Sequence, residues 1–167
     1  MLLETNKNSL VFQLPTGGLL LIPISAIEDM RKYQQLDCND KEAGGVLIGQ
    51  HRYHTRNGNI IGPIHLEITS CTQPSWWDKR TRFGFIRKSA SHIRSVLQAW
   101  KNSDGCLSYM GEWHTHPEPI ATPSLIDYHQ WRSNLTGKIA VLIIIGQKDD
   151  WFGYFDGNCF HTLNLTV

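Results

Sequence analysis

The 167-residue chain has only four cysteines, and none of them forms a CxxC pair. Cys38, Cys71, Cys106 and Cys159 are isolated, so no zinc ribbon, dithiol redox motif or disulfide framework is indicated. They are expected to be reduced and mostly buried, because free cysteine behaves as a small hydrophobe. Long apolar runs are missing too. The longest aliphatic stretch, Ile139 to Ile145, is far short of the ~20 residues a membrane span needs. The opening MLLETNKNSL has no basic segment leading into an apolar one, so no signal peptide is expected. An excess of one charge is also absent. With 16 basic and 15 acidic residues, the formal net charge of +1 argues against a polyanion-coating protein or a disordered tail. The expectation is a cytoplasmic protein with no membrane and no nucleic-acid partner. No internal repeat, low-complexity tract or linker divides the chain, so 1–167 is read as one domain, long enough to bury a core unaided.

What is present alternates strands with helices. Strands are expected over 10–14 and 19–23, around the turn Thr16-Gly17-Gly18, then over 45–51 and 59–71 around Asn57-Gly58, a strong hairpin signal. A helix is expected over 25–36, with Ser25 and Glu28 as a capping box. Residues 72–85 read as a long loop. Residues 88–102 read as an amphipathic helix, with Ile93, Val96, Leu97 and Trp100 at helical spacing. A strand over 107–116, a helix over 124–135, a buried β-branched strand over 139–146, and a hairpin of 151–155 with 159–165 complete the chain. This interleaving predicts an α/β domain with a mixed sheet.

The stretch from Glu112 to Asp127 carries the chemistry. On a strand, His114 and His116 project to the same face, where both imidazoles can meet one ion. Pro117 and Pro119 end that strand. Thr122 suits a helix N-cap with Pro123 as first helical residue, and Ser124 and Asp127 then share a face of the first turn. Asp127 can thereby return over the strand end as a third ligand. Two histidines and a carboxylate suit Zn²⁺ with a fourth position open to water, a site that makes water acidic near neutral pH. A carboxylate can move the proton to a leaving amine, and a hydroxyl such as Ser124 can bond a developing oxyanion. Separately, each element is weak: an isolated HxH is common, and Ser and Asp often merely cap helices. By spacing, Glu112 also reaches the metal face, as a base or as a partner that orients a histidine.

Taken jointly, His114-Thr-His116-Pro, six residues, Ser124-Leu-Ile-Asp127, and an upstream Glu42 opening Glu-Ala-Gly-Gly-Val-Leu-Ile-Gly resemble the JAMM motif of the Mov34/MPN/PAD-1 (JAB) metallopeptidases. The resemblance spans roughly residues 25–153. It implies one Zn²⁺ per chain bound by His114, His116 and Asp127, with Glu42 as general acid/base and Ser124 as oxyanion stabiliser. Glu112 is then structural. The implied fold is a single JAB/MPN domain, similar to cytidine deaminases, with a mixed curved sheet and a helix on each side. The helix after Ser124 is followed by only six residues, so no second zinc-bearing insertion is expected. The deaminase activity itself is excluded, because no PCxxC pair is present.

The family implies cleavage after the C-terminal tail of a ubiquitin-like or similarly conjugated protein. An extended tail needs a groove beside a strand edge. The loop from Pro74 to Phe83 is the expected wall, with Trp76 and Trp77 covering apolar tail side chains and Arg80 and Arg82 bonding carbonyls or carboxylates. Trp113 is expected in the core. The short chain and its GEWHTHP form most resemble the deconjugating peptidases of CBASS antiphage operons. That implies removal of a cGAS-like nucleotidyltransferase from the target to which it was joined. Processing of sulfur-carrier tails and a non-catalytic MPN scaffold are the alternatives. The scaffold is disfavoured by the intact motif. The neutral total also hides an asymmetry: residues 73–103 carry seven basic side chains against Asp78, a local +6, which leaves −5 elsewhere and could steer an acidic substrate.

Overall fold

A computed structural model describes residues 8–166; Met1 to Lys7, where no leader was read, and Val167 lie outside it. In chain order the elements are β1 (Ser9–Gln13), β2 (Leu19–Pro23), α1 (Ile24–Arg31), β3 (Gly44–Arg56), β4 (Asn59–Cys71), β5 (Lys79–Thr81) and β6 (Gly84–Ile86). They continue with α2 (Ala90–Asn102), β7 (Ser108–Thr115), α3 (Leu125–Leu135), β8 (Ala140–Ile145), β9 (Trp151–Phe155) and β10 (Phe160–Thr162). Eight strands form one mixed sheet in the order β1-β2-β4-β3-β7-β8-β9-β10. Among the described strands, β2/β4 and β7/β8 pair in parallel and the other neighbours antiparallel.

The run expected over 139–146 is the sheet's fully buried strand, and its alternation divides the core. Val141, Ile143 and Ile145 point into a cluster with Ala26, Ile27 and Met30 of α1 and Trp113 of β7. Ala140, Leu142 and Ile144 point the other way, against Trp131 and Leu135 of α3. Helix α1 thus covers one face of β8 and α3 the other, in keeping with the helix on each side that the resemblance implied. Trp113 is core, 1% exposed. The β3–β4 turn forms at Asn57 and Gly58, both with φ in the left-handed region, which the Asn-Gly pair tolerates best. Among the described residues, no helix is long and apolar enough to cross a membrane.

Several sequence expectations are corrected. Helix α1 is shorter than 25–36 and has no capping box: Pro23 occupies the N-cap, and Ser25 lies inside the first turn. The helix follows directly from β2, where Ile24 N–H donates to Asn8 O at 2.9 Å, so a backbone acceptor serves that terminus. The expected loop over 72–85 contains the β5–β6 hairpin. In α2 the apolar stripe faces solvent, with Ile93, Leu97 and Trp100 half-exposed or more, and the buried residue is His92. The cysteines are not mostly buried: Cys38, Cys106 and Cys159 are exposed. Cys71 is half-buried, and burial pushes its thiol up to about 12.

Candidate metal centre and its cleft

Strand β7 carries His114, and His116 follows one residue past its end. His114 pairs in register with Gly44 of β3 and Ile144 of β8, at the middle of the sheet. Helix α3 then returns over the strand end. Its N-cap is Ser124, two residues later than the expected Thr122. The reason lies three residues on. Ser124 has Asp127 at N3 to complete a reciprocal capping box, whereas Thr122 would have Leu125 there. Asp127 N–H donates to Ser124 Oγ at 3.2 Å, and Asp127 Oδ2 accepts from Ser124 N–H at 2.6 Å and from its hydroxyl at 2.7 Å.

The same carboxylate faces the histidines. Asp127 Oδ1 lies 3.2 Å from His114 Nε2 and Oδ2 lies 3.3 Å from His116 Nε2, while the two Nε2 atoms are 3.0 Å apart. Donors bonded tetrahedrally at about 2.0–2.1 Å from a zinc ion are separated by roughly 3.3 Å. The His–His and His–Asp spacings lie close to that value, so the three side chains can share such an ion after small adjustment. Glu42 joins from the loop before β3, with its carboxylate and both imidazoles mutually within 4.8 Å. This group of histidines and carboxylates is compatible with a bound metal ion.

Electrostatics separate the two carboxylates. Burial pushes Glu42 up from 4.5 to about 7, partly offset by His114 and His116. Burial would raise Asp127 as well, but hydrogen bonds from His114, His116 and Ser124 outweigh it and hold that group well below the usual carboxylate range. His116 is desolvated, which disfavours its charge, yet Asp127 and Glu42 leave its pKa raised. One carboxylate with a raised pKa and one with a lowered pKa thus share a single site.

The site opens into a cleft of about 440 Å³, walled by Phe83, Phe85, Ile86 and Arg87 on the hairpin side and by Ile126, Gln130 and Asn134 of α3 opposite. Glu112 lines it too, but its Oε2 accepts from Arg87 Nη1 at 2.7 Å. The structure keeps Trp76 and Trp77 at 90% and 74% exposure, outside the cleft lining. Arg80 and Arg82 also lie outside it. Arg80 donates Nε to Glu42 O and Nη2 to Lys41 O, and Arg82 donates Nη1 to Asp37 O. Of the seven cations in the basic segment, three are therefore engaged with the chain's own acceptors.

Sequence reasoning missed two buried residues that brace the site. Thr115, between the histidines, accepts from Ala43 N–H and donates to Gln35 Oε1, and Gln35 Nε2 donates to Arg82 O. Thr115 was recoverable, since alternation puts it opposite the histidines; nothing in the sequence marks Gln35.

Comparison with known proteins agrees with this fold. Residues 23–155 match the family described as prokaryotic homologs of the JAB domain. The chain belongs to that family. A CD-NTase/cGAS isopeptidase of Escherichia coli (strain TW11681) is 34% identical over 149 residues, covering 89% of each chain. A protein of the same description from Vibrio cholerae is 34% identical over 145 residues, covering 86% of each. A third, from Pseudomonas aeruginosa, is 36% identical and covers 68% of this chain and 65% of its own. The solution structure of a Desulfitobacterium hafniense protein superposes with a TM-score of 0.58 at 18% identity, over 84% of this chain and 87% of that one, a likeness of fold.

Proposed function

We propose that the chain is a zinc-dependent isopeptidase that detaches a cGAS-like nucleotidyltransferase from the protein to which its C-terminal tail was joined, in CBASS antiphage defence. The observation that carries this is the convergence of His114, His116 and Asp127 with a buried Glu42 at the mouth of one cleft. Relatives described as CD-NTase/cGAS isopeptidases along most of the chain support the substrate class.

In this reading His114, His116 and Asp127 would hold one Zn²⁺, which would supply Lewis acidity and a nucleophilic water near neutral pH. Glu42 accepts a proton from the attacking water and delivers it to the lysine amine as the C–N bond of the isopeptide breaks. Its carboxylate lies close enough to both imidazoles to serve the same reacting centre. Ser124 Oγ bonds the oxyanion. Its hydroxyl now points at Asp127, so this role requires the rotor to turn its proton into the cleft while Oγ still accepts from Asp127 N–H. The tail lies extended along the hairpin wall. Trp76 and Trp77 cover apolar side chains of the tail, and the free donors of Arg82 meet tail carbonyls or carboxylates, while the bonds of Arg80 to Glu42 O and Lys41 O leave it out of tail binding.

The test is incubation of the zinc-loaded chain with reporter fusions joined through tails of a CD-NTase, a ubiquitin-like protein and a sulfur carrier. Cleavage of the CD-NTase fusion, lost with a chelator and with Glu42→Gln, is the expected result. Cleavage that survives both controls overturns the metallopeptidase reading, and a preference for sulfur-carrier tails overturns the substrate.

A further inference from the structure

Glu42 sits in a segment with neither helix nor strand, between α1 and β3. No ladder holds such a residue, so its backbone groups must find partners elsewhere. They find them on the hairpin. Glu42 N–H donates to Thr81 O at 2.7 Å, Arg80 Nε donates to Glu42 O at 2.9 Å, and Arg80 Nη2 donates to Lys41 O at 3.0 Å. The next residue is held from the histidine strand, where Ala43 N–H donates to Thr115 Oγ1 at 3.0 Å and Thr115 N–H donates to Ala43 O at 2.9 Å. Gly44 completes the approach: a Cβ there would lie 2.6 Å from the Phe85 ring, so the absence of a side chain lets the hairpin close on the strand.

Two paired strands of three residues each do not stand alone. A buried chain of side chains anchors them. Asp78 Oδ2 accepts from Ser75 N–H at 2.7 Å, and Oδ1 accepts from Lys88 and Ser89 N–H, both at 2.9 Å, so one carboxylate ties the incoming limb to the outgoing one. His92 Nε2 lies 2.8 Å from Asp78 Oδ2, and its Nδ1 lies 2.6 Å from Thr72 Oγ1, which accepts from Val46 N–H of β3 at 2.9 Å. Every donor and acceptor is matched when Nε2–H donates to Asp78 Oδ2 and Nδ1 accepts from the Thr72 hydroxyl. Thr72 also receives the indole N–H of Trp113, next to His114, at its carbonyl, 2.9 Å away.

We propose that the β5–β6 hairpin is the mount of Glu42 as well as a wall of the cleft, with Arg80, Asp78 and His92 as positioning residues for the general acid/base. A simple wall would need no bonds to residues 41 and 42, and a simple fold clamp would not end on them. The inference rests on Glu42 being the general acid/base.

The test combines hydrogen exchange with kinetics on the zinc-loaded chain. Arg80→Met removes both bonds to the Glu42 segment from a partly exposed site. It should speed exchange of the Glu42 amide about tenfold or more while β8 amides are unaffected. On a cleavable tail fusion, kcat should fall about tenfold or more with KM within roughly threefold and zinc content unchanged. Arg80→Lys should recover part of the loss. Asp78→Asn, which loosens the anchor at a distance from Glu42, should move exchange and kcat in the same direction. In a Glu42→Gln background, Arg80→Met should cause no further loss, because it acts through that residue. A raised KM with unchanged kcat overturns the proposal, making Arg80 a tail contact; unchanged exchange overturns it whatever the activity. A wild-type chain inactive on every fusion, with exchange accelerated in Arg80→Met, overturns the isopeptidase reading while upholding the mount.

Discussion

The Nε2 atoms of His114 and His116 face each other at 3.0 Å, with the Asp127 carboxylate 3.2–3.3 Å from both. Two imidazole nitrogens this close repel unless a proton or a cation lies between them. Zinc should therefore bind one ion per chain and stabilise the fold. At about a hundred times Kd the gain is about 2.7 kcal/mol. At roughly 2–4 °C per kcal/mol for a domain of this size, melting should rise by about 5–11 °C. Melting curves with zinc and with chelator check this, and His116→Ala or Asp127→Asn should abolish the rise.

Glu42 and Glu112 both border the cleft but differ in surroundings. Glu42 is buried beside the histidines, while Glu112 is paired with Arg87. Glu42→Gln should keep stoichiometric zinc and lose about 10²–10⁴ in kcat, the range for general acid/base groups. Glu112→Ala should keep both zinc and most of the activity. Elemental analysis with steady-state kinetics on one tail fusion decides between them, and the reverse pattern would exchange their roles.

The raised Glu42 pKa carries a stability consequence in the metal-stripped chain. Its folded pKa of about 7 lies above its ordinary 4.5, so the folded state binds the proton more tightly than the unfolded one. Its contribution is complete below pH 4.5 and is lost as pH rises through 7, by up to about 3 kcal/mol. Glu42→Gln should accordingly melt higher than wild type at pH 8, with most of the difference gone at pH 5. Paired melts in chelator at the two pH values measure it, and equal melting at pH 8 contradicts the buried-carboxylate account.

Ser124 has two separable duties. As N-cap it accepts from Asp127 N–H, a contribution of about 1 kcal/mol. As proposed oxyanion donor it should contribute about 10²–10³ in kcat. Ser124→Ala should lose both, whereas Ser124→Asp, a good N-cap with no hydrogen to donate, should restore the cap and the melting temperature but not the rate. Recovery of kcat in Ser124→Asp would show that capping was the whole of its role.

Much of the architecture was legible because it obeys one period at a time. The 59–71 and 151–155 strands match their expected limits, and the buried β8 run was marked by β-branched residues. The histidine pair stood out because alternation alone puts both rings on one face. The β5–β6 hairpin escaped because strands of three residues, broken by Gly84 and rich in Lys and Arg, carry too little pattern. Helix α2 misled in the opposite sense: its stripe of Ile93, Leu97 and Trp100 has helical period yet lies in solvent, while its buried residue is a histidine satisfied by Asp78 and Thr72. Periodicity identifies the face of a helix but not what that face meets. Gln35 and Arg80 act through backbone carbonyls distant in sequence, contacts that no local spacing encodes.

The Ser124–Asp127 capping box gives the two halves of the motif unequal diagnostic weight. A descendant that had lost both histidines would still gain from keeping this serine and aspartate, because they start α3 whether or not an ion is held. Selection for folding alone would preserve SxxD in a chain that had ceased to cut anything. Among sequences of this type, loss of activity should therefore be sought first at the positions of Glu42, His114 and His116, and a surviving SxxD should count for little.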